Sequence, residues 1–159
     1  MPVVYAQDPG TRTGHCVMDR GKILHLKTNG KRDAISHMCD LYIVYRFKRA
    51  VIEMPKLGVF YASHEGQGGV NSPSGRIKLM QNVGQNIAFS LSVCEKLEEI
   101  GVKVYRPNPK KGTTKWEFER WCRIFEWEGR HPSNHARDAS VLAFMYENWV
   151  GFNLPEVGK

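Results

Sequence analysis

The sequence predicts an α/β fold built on a mixed five-stranded sheet flanked by helices, and three observations carry that prediction. The first is a run of short β-prone segments near the start, Val3 to Gln7, Gly14 to Met18 and Lys22 to Lys27, punctuated by Pro9-Gly10 and by Asp19-Arg20-Gly21. The second is a strand-helix-strand order over residues 22–53, an arrangement that joins parallel strands through a crossover. The third is a pair of later segments, after Ser72 and after Asn134, whose apolar residues recur at helical spacing.

Each element follows from its residues. The three opening segments form a β meander, and the first, being the most continuously apolar, belongs at the centre of the sheet. From Asp33 to Lys48, Ile35, Met38, Cys39, Tyr42 and Tyr45 make one apolar stripe, which is a helix lying on the sheet. Ala50-Val51-Ile52-Glu53 is a short buried strand that ends, like the first, on a carboxylate. Between Met54 and Gly75 periodicity is lost and glycines collect around Phe60-Tyr61, the composition of a functional loop. No Gly-Lys-Ser/Thr ending follows, so this is not a nucleotide-phosphate loop.

Ser72-Pro73 supplies an N-cap and a proline at the first helical position. The helix it opens sets Ile77, Met80, Val83, Ile87, Leu91, Cys94 and Leu97 on one face, and Gly101 ends it. Val102 to Tyr105 is the last strand. Thr114-Lys115-Trp116-Glu117 has the form of a capping box before a helix with Phe118, Trp121, Cys122 and Phe125 inward. A final helix from His135 to Trp149 places His135, Asp138, Leu142 and Met145 on one face. With no internal repeat, residues 1–150 read as a single domain and 151–159 as a loose tail.

At 159 residues the chain is long enough to bury a core without staples. Its 23 Lys and Arg outnumber 16 Asp and Glu, a formal charge of +7 that makes polyanions, nucleic acid first, the expected partners. Cys16, Cys39, Cys94 and Cys122 lie scattered in apolar segments, with no Cys-x-x-Cys pair, as reduced core residues of a cytoplasmic protein would. Neither a membrane-spanning run nor a charged-then-apolar leader is present in the sequence, so the expected location is the cytoplasm, and no membrane partner is expected.

The chemistry is suggested by joint placement. Asp8 and Glu53 end neighbouring strands, and His135 with Asp138 open a helix that faces them. Singly, each has an ordinary reading: a turn aspartate, a solvated strand end, a helix-start histidine, a first-turn carboxylate favoured by the helix dipole. Together they supply hard ligands for a divalent cation, and phosphodiester hydrolysis commonly uses two such ions about 3.5–4 Å apart.

The motifs Asp8-Pro9-Gly10-Thr11-Arg12-Thr13-Gly14, Ala50-Val51-Ile52-Glu53 and His135-Ala136-Arg137-Asp138-Ala139, in that order, resemble those of RuvC-like Holliday junction resolvases, most closely the compact phage-type members. The resemblance implies an RNase H-like fold, a homodimer, and Mg²⁺- or Mn²⁺-dependent paired nicking of a four-way DNA junction in the cytoplasm, the host's if the source is viral. By the match Asp8 would bridge two ions, while Glu53, Asp138 and His135 complete their shells or move protons. Many relatives carry aspartate where His135 stands. An imidazole there either favours Mn²⁺ over Mg²⁺ as a softer ligand or carries a proton.

The DNA-contact candidates are Arg12, Arg76, Lys78, Lys110, Lys111 and Lys115 for phosphates and Phe60 or Tyr61 as a stacking wedge at the junction centre. A twofold-symmetric junction calls for two related active sites, and the helix after Ser72 is the candidate interface. No nucleotide cofactor is expected. Two alternatives remain beside the resolvase: a related nuclease for flaps or forks, and a junction-binding protein without catalysis.

Overall fold

The computed structural model describes residues 3–54, 72–107, 114–149 and 152. In chain order the elements are β1 (Val4–Asp8), β2 (Arg12–Asp19), β3 (Lys22–Gly30), α1 (Lys31–Tyr45), β4 (Arg49–Ile52), α2 (Pro73–Glu99), β5 (Lys103–Tyr105), α3 (Phe118–Phe125) and α4 (Asn134–Tyr146). The strands form one mixed sheet in the order β3-β2-β1-β4-β5, so the most apolar strand is indeed central. β1 to β3 make the antiparallel meander, and β4 pairs parallel with both β1 and β5. The left-handed Arg20 and Gly21, φ 49° and 74°, turn β2 into β3.

Strand alternation divides the core between the two faces of the sheet. Tyr5, Val17, Ala50 and Ile52 face α1 and α2, where Met38, Leu41, Phe47, Val93, Cys94 and Leu97 complete one cluster. Val4, Ala6, Cys16, Met18 and Val51 face the other way and pack on Ala139, Leu142 and Ala143 of α4. α1 packs through the stripe read from the sequence: Met38 is buried, and Ile35, Cys39, Tyr42 and Tyr45 lie against the same cluster. It ends at Tyr45, short of Lys48, because Arg46 turns left-handed with φ 49° and bonds back to the Tyr42 carbonyl. All four cysteines are free thiols.

Three expectations are corrected. The buried stripe of α2 is Leu79, Val83, Ser90, Val93, Cys94 and Leu97, while Ile77, Met80 and Leu91 are exposed. The true stripe includes Ser90, satisfied by the Asn86 carbonyl one turn back, so apolarity alone picked a face rotated from it. Thr114 to Glu117 forms no capping box. Glu117 itself stands at the N-cap of α3 without a side-chain bond, and Thr114 is tied into a turn by the Trp116 amide. On α4, Met145 is exposed, whereas burial runs unbroken from Asp138 to Ala143. The reason is that α4 lies between the sheet and α3, whose Trp121 indole donates to Ser140 at 2.8 Å.

The Ser72 cap and the Gly101 terminator stand as read: the Ser72 hydroxyl accepts from Gly75 at 3.0 Å, and Gly101 takes φ 80°. Phe152, inside the stretch read as a tail, is buried against Tyr105 and Trp149. The loop carrying Phe60 and Tyr61, and Lys110 with Lys111, lie outside the described residues. Among the described residues no helix is long and apolar enough to cross a membrane.

One contact fixes where α4 begins. Gly14 pairs with Asp8 across the β1–β2 ladder, and a Cβ placed on it would collide with the His135 carbonyl and stand 2.8 Å from the Ala136 amide nitrogen. Only a bare Cα lets the helix start rest on the strand at this point. Gly14→Ala is therefore expected to destabilise the fold by about 2 kcal/mol or more, the usual cost of overpacking against backbone. Urea unfolding of the two proteins measures it.

Candidate active site

The carboxylates at the sheet edge are assembled by register. Gln7 pairs with Ile52 in the parallel β1–β4 ladder, and the Glu53 amide donates to the Gln7 carbonyl at 3.2 Å, extending the ladder by one step. Asp8 and Glu53 thus stand side by side at the same edge. Because Gln7 and Ile52 alternate with them, their side chains are on the α4 side of the sheet. Asp8 is 8% exposed and Asp138 3%, while Glu53 is only partly covered.

α4 supplies the other two groups. The Ser133 hydroxyl caps the helix by accepting from the Ala136 amide at 3.2 Å, and it is itself hydrogen-bonded to the Thr28 hydroxyl on β3. Spacing of three residues then puts His135 and Asp138 on one side of the first turn. The His135 Nδ1 lies 2.9 Å from an Asp8 carboxylate oxygen, and the Lys115 amine is ion-paired with the Asp138 carboxylate. The structure therefore brings together all four residues singled out in the sequence, joined by a fifth, Lys115.

Crowding of negative charge shapes their proton affinities. Burial, then the charge and hydrogen bond of Asp8, push Glu53 up to about 8. Asp138 is raised by burial, against the pull of Lys115. For Lys115, burial disfavours the charged amine, but the bond to Asp138 and the charges of Asp138, Asp8 and Glu53 outweigh it, and its pKa rises. His135 is raised chiefly by its hydrogen bond to Asp8. An edge that binds protons this readily has an excess of hard, anionic oxygen, the donor set a divalent metal ion prefers. Among the described residues no three His, Cys, Asp or Glu side chains are close enough to form a ligand set as they stand, with Lys115 paired to Asp138 and His135 to Asp8.

The remaining candidates are distributed more widely. Arg12 is exposed at the start of β2, beside the Asp8 edge, and Arg76 and Lys78 are exposed on the first turns of α2. No hydrogen bond or ion pair among the described residues links these three to the carboxylates. Lys115, read from sequence as a phosphate contact, is ion-paired with Asp138. Sequence reading placed Gly14 in the opening motif without giving it a role, although an isolated glycine in a strand is a standing sign of close backbone approach. It also missed Ser133, an N-cap in plain view three residues before Ala136.

No protein-family model and no curated protein matches the chain. Solved structures do, and two of them are RuvC structures. One, titled "T. thermophilus RuvC in complex with Holliday junction substrate", aligns with a TM-score of 0.65 over 96% of this chain and 97% of that one, at 17% identity. The other, "Thermus thermophilus RuvC structure", aligns with a TM-score of 0.52 over 91% and 94%, at 16% identity. The chain has the RNase H-like fold of these RuvC structures, as the resemblance in its motifs implied.

The site titrates in a known direction. Glu53 binds its proton more tightly in the folded protein, about 8 against 4.5, and a group raised in this way contributes stability below its unfolded pKa that is lost as pH rises through the folded one. The raised His135 acts in the same sense. Without divalent metal, the melting temperature is expected to fall between pH 5 and pH 9, on the order of a few kcal/mol of stability. Glu53→Gln should flatten that fall, and calorimetry across the range measures both.

Proposed function

We propose that the protein is a Holliday junction resolvase, an endodeoxyribonuclease that makes paired, symmetric nicks in a four-way DNA junction with Mg²⁺ or Mn²⁺. The observation that carries the proposal is the meeting of Asp8, Glu53, His135 and Asp138 at one strand edge of a fold shared with RuvC. One of those RuvC structures is described as a complex with a Holliday junction substrate. The net charge of +7 supports a polyanionic substrate.

The residues fit metal-assisted phosphodiester hydrolysis. Asp8, Glu53 and Asp138 are the groups to hold the ions, which when bound supply an activated water and stabilise the leaving oxygen. Glu53 retains a proton near neutrality because it is buried and the Asp8 carboxylate lies beside it, so cation binding and deprotonation at this edge would be coupled. His135, hydrogen-bonded to Asp8 and raised in pKa, is able to hold a proton beside the reacting phosphate and release it to the departing 3′ oxygen. Lys115 keeps Asp138 charged in the resting site and lies where an amine can turn to a phosphate oxygen. Arg12, at the same edge, extends the basic surface.

Paired nicks need two sites related by a twofold axis, and a homodimer provides them. The exposed face of α2, with Ile77 and Met80 56% and 48% exposed, supports that element as the dimer contact.

The test is cleavage of a synthetic four-way junction with a fork and a plain duplex as controls. Wild-type protein is expected to nick opposite strands of the junction symmetrically, leave ligatable ends, and spare the duplex. Asp8→Asn and Asp138→Asn are each expected to lose about 10³-fold in rate, the several kcal/mol a metal site contributes, while still shifting the junction in a gel. Full cutting by Asp8→Asn overturns the site. Equal cutting of fork and junction favours the broader branched-DNA nuclease, and binding without cutting favours the non-catalytic alternative.

A further inference from the structure

Three histidines that the carboxylate edge does not use gather on the opposite face of the sheet. His15 of β2 faces the α1 side, as its bond to Tyr5 shows, and His25 of β3 pairs with Val17, a member of the same cluster. His37 of α1 closes the group, with its ring edge-on to His15 at 4.9 Å between centroids. Both nitrogens of His15 are engaged, Nδ1 with the Tyr5 hydroxyl at 2.7 Å and Nε2 with the Asn29 side-chain oxygen at 2.8 Å. His15 is therefore a fixed wall.

The other two rings are different. The Nε2 atoms of His25 and His37 face each other at 3.2 Å, with the rings tilted by 46° and both side chains half-buried. Neither Nδ1 has a protein partner among the described residues. Burial, with Lys27 close to both rings, holds each imidazole below its ordinary pKa and so neutral near pH 7, although Asp40 opposes this at His37. Neutral imidazole is the form that binds metal. With metal–nitrogen bonds of about 2.0–2.1 Å, two ligands on one tetrahedral ion stand about 3.3–3.4 Å apart, and two at a right angle about 2.9 Å. The observed separation falls between these values, at the long limit for a direct hydrogen bond.

From this geometry we propose that His25 and His37 form a two-imidazole site for a borderline divalent transition ion, Zn²⁺ or Ni²⁺, bridging β3 to α1 with water completing the coordination. Its nitrogen donors and its face of the sheet separate it from the oxygen-rich edge at Asp8. Tyr45, with its ring 6.3 Å from that of His25, and Lys27 and Asp40 are the other titratable groups around it. The competing occupant is a single shared proton, which would leave the pair a plain N–H···N bond.

The experiment is calorimetric titration of tag-free full-length protein with Ni²⁺, in millimolar Mg²⁺, followed by thermal melts. Wild-type protein and Asp8→Asn are both expected to take up one equivalent of Ni²⁺ per chain and to gain several degrees in melting temperature. His25→Gln and His37→Gln are each expected to lose that equivalent and the gain. Uptake that survives in both histidine variants, or that disappears in Asp8→Asn, overturns the proposal. On wild-type protein alone, Zn²⁺ should move the imidazole ¹⁵N resonances of His25 and His37, and unmoved resonances also overturn it. None of these readouts depends on junction cleavage, so this site and the nuclease stand or fall separately.

Discussion

The structure depends on the place where the start of α4 rests on β2. At Gly14 the helix backbone touches the strand with no side chain between them, and this touch sets how deep the first turn sits over the sheet. The Ser133 cap fixes the helix start from the other side through Thr28 of β3. From that seat the rest follows: His135 reaches Asp8, and Asp138, one turn further in, is buried beside the same edge. The paired position of Gly14 is Asp8 itself, so the residue that admits the helix and the residue the helix serves are opposite one another in a single ladder rung.

A carboxylate cluster assembled so rigidly must be neutralised, and the chain does this with what it has. His135 answers Asp8, Lys115 answers Asp138, and Glu53 answers by keeping its proton. The arrangement is a set of temporary partners. The strands and the helix turn that carry the carboxylates are fixed by the ladder and the cap. A site fixed in this way is preorganised, which is what the proposed electrostatic catalysis requires.

Much of this was legible in the residues. β1 read as central because it is apolar without interruption, and the crossover through α1 required β4 to lie parallel beside it, which alone put Asp8 and Glu53 at one edge. The misreadings have a common cause. Along α2, Val83, Cys94 and Leu97 are buried as read, but the buried stripe also runs through Ser90 while Ile77, Met80 and Leu91 are exposed, so an apolarity pattern finds only part of the face. The Thr114–Glu117 stretch has the letters of a capping box, but a tertiary demand, Lys115 reaching Asp138, holds it in an extended turn. Met145 fails for the same reason in reverse: α4 is covered by α3 through Trp121 and Ser140, a contact no periodicity in α4 announces. Local pattern finds elements well and finds faces only where a single neighbour decides them.

The two faces of the sheet also divide the polar chemistry. On the α4 side the groups are carboxylates and cations in excess of what packing needs. On the α1 side the polar groups at the centre are uncharged, Tyr5, His15, Asn29, His25 and His37, bonded largely to each other, with Lys27 and Asp40 beside them. Strand alternation is what keeps them apart, since Tyr5 and Gln7 face one way while Ala6 and Asp8 face the other. Proximity along the chain is therefore no guide to shared chemistry here: His15 is one residue from Gly14, yet its imidazole lies on the opposite face of the sheet from that of His135, which meets Asp8.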